Sequence, residues 1–384
     1  MANAESGKTR LFFLDNLRVL LVTLVIVWHT AVTYGASGAW PYHEGPSDEL
    51  TNLVFTVLNV TIGPFVLPLL FMIAGYFSVP AYDRKGFGSF LGGRVIRLGV
   101  PVLVYIGVFD PLVHYAIKVK TELYRASFGE YVVYHFSDYQ RLGVGPMWFL
   151  EALLIFTVLY GLWRRLVKPG ACRVEPTARV PGTAVTTAFA LVLGVATFAL
   201  RMWVPIDSPF TPLGMPLPLF PQYIAMFVIG VIAYPRNWFV NAPDAMGRLW
   251  LAITVAFIVL VFPALVVVGD AFGGGAMLFM GGVTWQSLAL SVYEQFVCVG
   301  MTIAALVWFR RGFDHQGRLA RAMSLSSFAA YFIHAPVLVF LALGLRDIRL
   351  HPLLKFAAVA PLAVVLCFAL ACCLRRLPLV RNIV

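Results

Sequence analysis

Leu17-Arg18-Val19-Leu20-Leu21-Val22-Thr23-Leu24-Val25-Ile26-Val27-Trp28-His29 decides the fold: it is an apolar run that carries two ionisable residues, Arg18 and His29, eleven positions apart. Eleven steps of about 100° make about three turns plus 20°, so on a helix both side chains share one face, roughly 16 Å apart along the axis. Ionisable groups inside a membrane span are expensive, and two on one face point to a polar pocket crossing much of the bilayer. A plainer reading stays open here, with Arg18 as a surface anchor and His29 as a hydrogen-bonded contact between helices.

Working outward, the 384 residues are 60% hydrophobic and 12% charged, with a mean hydropathy of +0.84. That balance excludes an ordinary soluble domain. Ten apolar stretches are long enough to cross the hydrocarbon: about 17–35, 52–80, 95–117, 147–166, 182–204, 217–235, 249–269, 285–309, 324–345 and 352–374. The fold expected is therefore all-α, a polytopic membrane protein of about ten transmembrane helices. Pro64 and Pro68 predict a kink in the second span. Pro212, Pro216, Pro218 and Pro221 crowd the start of the sixth, the weakest of the ten. The Pro- and Gly-rich stretches 205–221 and 269–282 read as external loops. A single membrane domain over 1–384, with its core at about 10–375 and no separate soluble domain, is expected. Inverted repeats, which would point to a transporter, are not apparent.

Charge orients the spans. Lys8, Arg10 and Arg18, then Arg84, Lys85, Arg94 and Arg97, share one side with Arg164, Arg165, Lys168, Arg173 and Arg179. Arg236, Arg248, Arg310, Arg311, Arg318, Arg321, Arg375, Arg376 and Arg381 join them, making 21 of the 29 Lys and Arg. The termini are thus expected on the cytoplasmic side of the cell membrane. The net charge of +11 is a topology signal, not a nucleic-acid footprint, so the bilayer is the expected partner and nucleic acid is not. The five cysteines (Cys172, Cys298, Cys367, Cys372, Cys373) fall in spans or on the cytoplasmic side, with neither an external disulfide framework nor metal-ligand spacing. The N-terminus mimics a secretory signal, but Arg18 and His29 interrupt its apolar core, and its loss would break the charge pattern. The first span is expected to stay.

Depth then groups the polar residues. The first span runs outward, with Arg18 at the cytoplasmic surface and His29 past the middle. Arg94 and Arg97, three apart at the start of the third span, share a face at the level of Arg18. Three arginines at one depth suit a polyanion such as the phosphates of a nucleotide cofactor. On that cluster alone, contact with lipid headgroups is the simpler account. Glu151 lies one turn into the fourth span, near the level of His29, where a carboxylate can orient an imidazole; reaching to the outer surface is the alternative. His334 sits near mid-membrane in the ninth span, with packing as its plainer role, and Glu294 lies mid-span in the eighth. His43, His114 and His135 read as solvated residues of the outer surface.

Leu14-Asp15-Asn16-Leu17-Arg18 with His29 resembles the opening signature of the membrane acyltransferase-3 family. Phe71-Met72-Ile73-Ala74-Gly75-Tyr76-Phe77, followed by Arg94, Arg97 and Pro101, resembles that family's second motif. Trp148-Phe149-Leu150-Glu151 and Tyr331-Phe332-Ile333-His334 resemble its later landmarks. Trp40-Pro41-Tyr42 and Tyr82-Asp83-Arg84-Lys85 fit the subgroup similar to glucan-biosynthesis protein C. The resemblance implies transfer of an acyl group, acetyl or succinyl, from cytoplasmic acyl-CoA to a hydroxyl of an extracytoplasmic glycan or related acceptor. Some relatives carry a further hydrolase-like domain, which this chain is expected to lack.

The residues accommodate that chemistry. Arg18, Arg94 and Arg97 are suited to the phosphates of coenzyme A, and no metal is called for. His29, as a neutral ring, is suited to take the acceptor's proton, directly or through an acyl-histidine. Arg18 and Glu151 complete the expected catalytic set, with Trp148, Tyr331 and His334 as substrate contacts. A proton-coupled carrier or flippase for a lipid-linked or acylated molecule is the rival, since buried histidines serve transport equally well.

Overall fold

The computed structural model describes residues 10–45, 47–167, 179–206, 208 and 214–377. Lys8, Lys168, Arg173, Arg381, Cys172 and Pro212, used above for charge, redox and helix breaks, lie outside the described residues. No strand occurs among those described.

The helices are α1 (Phe12–Thr33), α2 (Glu49–Arg94), α3 (Val100–Val104), α4 (Asp110–Lys120), α5 (Phe128–Phe136), α6 (Trp148–Leu166) and α7 (Thr183–Arg201). They continue with α8 (Phe220–Ala233), α9 (Trp238–Asn241), α10 (Asp244–Ala256), α11 (Phe262–Val268) and α12 (Ala276–Met280). α13 (Trp285–Gly312), α14 (Arg318–Gly344) and α15 (Pro352–Leu374) complete the chain. Among the described residues, eight stretches are long and apolar enough to cross a membrane, one of them the 72-residue run Glu49–Lys120. The sixth expected span falls on a shorter helix, Leu217–Ala233, because the prolines at its start lack the N–H groups that would extend it.

The 72-residue run would reach about 108 Å if straight, against about 30 Å of hydrocarbon. It does not run straight. Gly86 leaves helical geometry at φ 71°, ψ 173°, a left-handed backbone that glycine adopts without strain. Arg94 Nη2 then donates to Ser78 Oγ at 3.5 Å, although sixteen residues of straight helix would part them by about 24 Å. The run therefore doubles back, and its arms are the expected second and third spans.

Pro64 and Pro68 do not break the first arm, where Gly86 alone departs from helical φ/ψ. Each proline frees the carbonyl four residues earlier, and neighbouring helices take up both. Tyr293 OH of α13 donates to Val60 O at 3.5 Å, and Gln222 Nε2 of α8 donates to Pro64 O at 2.8 Å. α2 and α8 approach so closely that a Cβ on Gly75 would stand 2.2 Å from Phe227 O, and one on Gly230 2.0 Å from Met72 O. Small residues at such crossings let backbones meet where lipid supplies no hydrophobic drive.

α1 lies at the centre, packed against α2, α13, α14 and α15. Its Leu14, Leu17, Leu21 and Ile26 are fully buried. A smaller core of Ala190, Trp250, Phe296 and Val299 joins α7 and α10 to α13. Leucine and valine side chains of α7, α10 and α11, such as Val192, Val255 and Val268, face outward as the lipid-facing surface of a multi-pass membrane protein.

Candidate functional site

α1 starts against the α13–α14 connection, where Asp314 accepts the Phe13 N–H at 3.0 Å. A carboxylate at a helix N-terminus satisfies an orphan donor and opposes the helix dipole. Asn16 adds hydrogen bonds to Phe313 O and His315 O at 2.6 and 2.9 Å. The register of α1 is thereby set against α14.

Thirteen residues after Asn16, that register brings His29 to His334 of α14, with Nδ1 of His29 3.2 Å from Nε2 of His334. Hydrogen-bond accounting assigns the protons. His334 Nδ1 contacts Tyr331 O, a carbonyl that only accepts, so this nitrogen carries the proton and Nε2 accepts. His29 Nδ1 then donates, to His334 Nε2 and to Val25 O at 3.0 Å. The consequence is a bare Nε2 on His29. That is the atom a general base needs.

The connection from α1 to α2 covers this pair. Trp40 stacks on His29 with ring centroids 4.3 Å apart and planes at 26°, and on His334 at 5.9 Å and 23°. His43 Nδ1 donates to Val32 O at 3.1 Å and Glu44 N to Thr33 O at 2.9 Å. Asn59 accepts the Trp28 indole N–H at 2.5 Å and donates to Ser37 O at 2.8 Å. The Glu44 carboxylate is ion-paired with the buried Lys355 ammonium of α15. In this connection burial, then the negative charge of Glu44, raises the Tyr42 phenol above its ordinary value.

At the other end of α1, Asp15 is ion-paired with both Arg18 and Arg10. Arg18 lies over the Phe77 ring at 5.8 Å, Arg94 over Phe90 at 5.3 Å and Arg97 over Phe328 at 5.4 Å. Arg97 feels the charge of Arg18, and Arg94 that of Arg97, so the three expected arginines form one cluster. Among the described residues no carboxylate pairs with Arg94 or Arg97. The cluster retains uncompensated positive charge about three helical turns from the histidine pair.

Glu151 is not joined to His29 by any hydrogen bond or ion pair among the described residues; its Oε2 has no partner, and His334 occupies the orienting place beside His29. Tyr331 OH donates to Pro146 O, tying α14 to the turn that opens α6. The Trp148 ring beside it lies 5.6 Å from that of Tyr223. Glu294 belongs to a different centre. Its Oε2 is 2.7 Å from Nη2 of Arg201, whose side chain is wholly buried and also donates from Nη1 to Ser291 Oγ at 3.2 Å.

His135 corrects its expected solvated state. It is buried, with Nε2 3.0 Å from Asp110 Oδ2, and the same oxygen accepts Gly143 N–H at 2.9 Å. Burial lowers the His135 imidazole below its ordinary value, opposed by the Asp110 charge. His114 Nδ1 lies 3.2 Å from Asp110 Oδ1, so one carboxylate clamps the α4–α6 connection. Sequence reasoning missed Arg201 and Asp110; the signal was available, since both are charged residues inside expected spans. It also named Trp40 only as part of a motif.

The long apolar helices, with a buried histidine pair and a basic cluster in which Arg94 and Arg97 have no carboxylate partner among the described residues, are those of a polytopic membrane protein, and its class is the membrane acyltransferases. The chain belongs to the acyltransferase 3 family, whose model, described as an acyltransferase domain, matches residues 11–372. It is similar to Glucans biosynthesis protein C of Salmonella typhi and of Salmonella typhimurium, 28% identical over 237 residues, 59% of this chain and 58% of each relative. The same protein of Salmonella heidelberg is 29% identical over 238 residues. The matched region thus spans less than two thirds of those relatives. No solved structure matches.

Proposed function

We propose that this membrane acyltransferase moves an acyl group, acetyl or succinyl, from cytoplasmic acyl-CoA to a hydroxyl of an extracytoplasmic glycan. Within that reading the termini are cytoplasmic in the cell's inner membrane, so the arginine cluster faces the donor and the loop with Trp40 faces the acceptor. The observation that carries it is the bare Nε2 of His29, on the same helix as Arg18 and three turns from it. His29 removes the acceptor proton as the hydroxyl oxygen attacks the thioester carbon, and the departing thiolate takes a proton back from the imidazolium. His334 holds the ring and shares the charge that forms on it. Glu151, with one free oxygen, and Trp148 and Tyr331 are assigned to the acceptor. The relatives' name supports a glucan as that acceptor. Arg18, Arg94 and Arg97 hold the coenzyme A phosphates.

Coenzyme A binding to purified protein tests the donor side. Affinity should fall as salt rises, and Arg94→Ala or Arg97→Ala should each weaken it about tenfold or more, the worth of a charge-assisted contact. Wild type and both variants binding alike would remove the phosphate role.

A further inference from the structure

Three aromatic side chains touch the histidine pair, and their hydrogen-bond donors differ in state. Trp28 gives its N–H to Asn59 and Tyr331 gives its O–H to Pro146 O. The nearby Thr30 and Thr33 hydroxyls donate to Ile26 O and His29 O at 2.8 and 2.9 Å. The imidazole donors are committed to the relay described above. Trp40 alone of these keeps its donor: its Nε1 is buried and has no partner among the described residues. Trp250 also leaves its indole N–H unpaired, but it packs amid Ala190, Phe296 and Val299.

A buried donor without an acceptor costs about 1–3 kcal/mol, so it calls for a partner in the working state. Trp40 is also held firmly for a loop residue. The backbone hydrogen bonds of His43 and Glu44, the Asn59–Ser37 bond and the Glu44–Lys355 ion pair brace it on both sides. Its ring lies on His29 at 4.3 Å, so an acceptor whose hydroxyl meets the ring nitrogen of His29 brings the reacting carbonyl beside the indole edge.

Resting on transfer at His29, we propose that the Trp40 indole N–H donates a hydrogen bond to the acyl carbonyl oxygen as it becomes the oxyanion of the tetrahedral intermediate. The acceptor oxygen forms its bond to the acyl carbon, its proton passes to His29 Nε2, and the carbonyl π pair moves onto oxygen. Trp40 stabilises that charge. When the carbonyl reforms, the C–S bond breaks and the thiolate takes the proton from His29. A preorganised donor in a dry site is worth most where charge develops, which makes Trp40 a catalytic residue and not only a cover.

The test uses purified full chain, acetyl-CoA or succinyl-CoA and a soluble glucan oligosaccharide, with thiol release and acylated product both measured. Trp40→Phe keeps a ring against His29 and loses the N–H. It should lower kcat roughly 10²–10³-fold, as loss of one oxyanion donor does, while KM for both substrates moves less than about threefold. Replacing Trp40 by benzothienylalanine, which puts sulfur in place of N–H at constant shape, carries the same expectation and covers the case in which Trp40→Phe does not fold. Near wild-type kcat in either folded variant overturns the oxyanion role while leaving the His29 reading intact. Failure of wild type to transfer acyl groups from both acetyl-CoA and succinyl-CoA, or full activity in His29→Ala, overturns the parent reading and this one with it.

Discussion

Between α1 and α14, His29 and His334 meet ring to ring; between α7 and α13, Arg201 and Glu294 meet charge to charge. Both pairs lie in the same apolar bundle, with Glu294 half-buried. The histidines carry no formal charge in the tautomers their partners require, and their relay ends on an unused lone pair at His29 Nε2. The arginine and glutamate neutralise one another, and Ser291 takes a further guanidinium proton. The ion pair turns its two charges on each other, whereas the relay ends on a free lone pair. Burial of polar groups is therefore not by itself a sign of chemistry; a free lone pair on a basic nitrogen is.

Replacing His29 should have the largest effect. His29→Ala should leave a folded, inserted protein whose acyl transfer falls roughly 10²–10⁴-fold, the usual worth of general acid–base catalysis. Coenzyme A binding should persist, because the arginine cluster is three turns away. Near wild-type turnover in a purified assay would show that the free end of the relay is as idle as the ion pair.

Arg201→Leu should do the reverse and act on stability. Breaking a buried pair leaves the other charge uncompensated, at about 3–5 kcal/mol, and thermal unfolding in detergent should report it. The double replacement Arg201→Leu with Glu294→Leu should recover most of that loss, and surviving protein should turn over normally. A folded single variant without activity would move Arg201 into the catalytic machinery and end the contrast.

His334→Ala should be the mildest of the three. It removes the acceptor for His29 Nδ1–H, but Val25 O still holds that proton at 3.0 Å. One hydrogen bond of about 1–1.5 kcal/mol is lost, so kcat should fall about tenfold without loss of coenzyme A binding. A fall as deep as that of His29→Ala would make His334 an equal partner in proton transfer.

Much of this was legible beforehand, for reasons that differ residue by residue. The helices were, since apolar runs near Leu17, Val100 and Leu153 need only hydropathy and length to be read. Arg18 and His29 were placed on one face by helical periodicity, and α1 runs unbroken through both. Pro64 and Pro68 sit inside a continuous helix, and the partners that take up their freed carbonyls, Tyr293 and Gln222, come from helices far along the chain. His135 misled: a loop position says nothing about the buried Asp110 that meets it.

By itself, then, the sequence determined the all-α membrane class, the positions of the apolar runs, the register of Arg18 to His29 and the grouping of basic residues. These depend on periods of a few residues and on local composition, which the chain carries in order. The tertiary structure decided that His334, not Glu151, meets His29, that Trp40 lies across both rings, and that Arg201 answers Glu294. Those pairings join residues 305, 11 and 93 positions apart. Only the packing of one helix against another, set by close crossings such as Gly75 on α8 and by caps such as Asp314 on α1, fixes which faces meet.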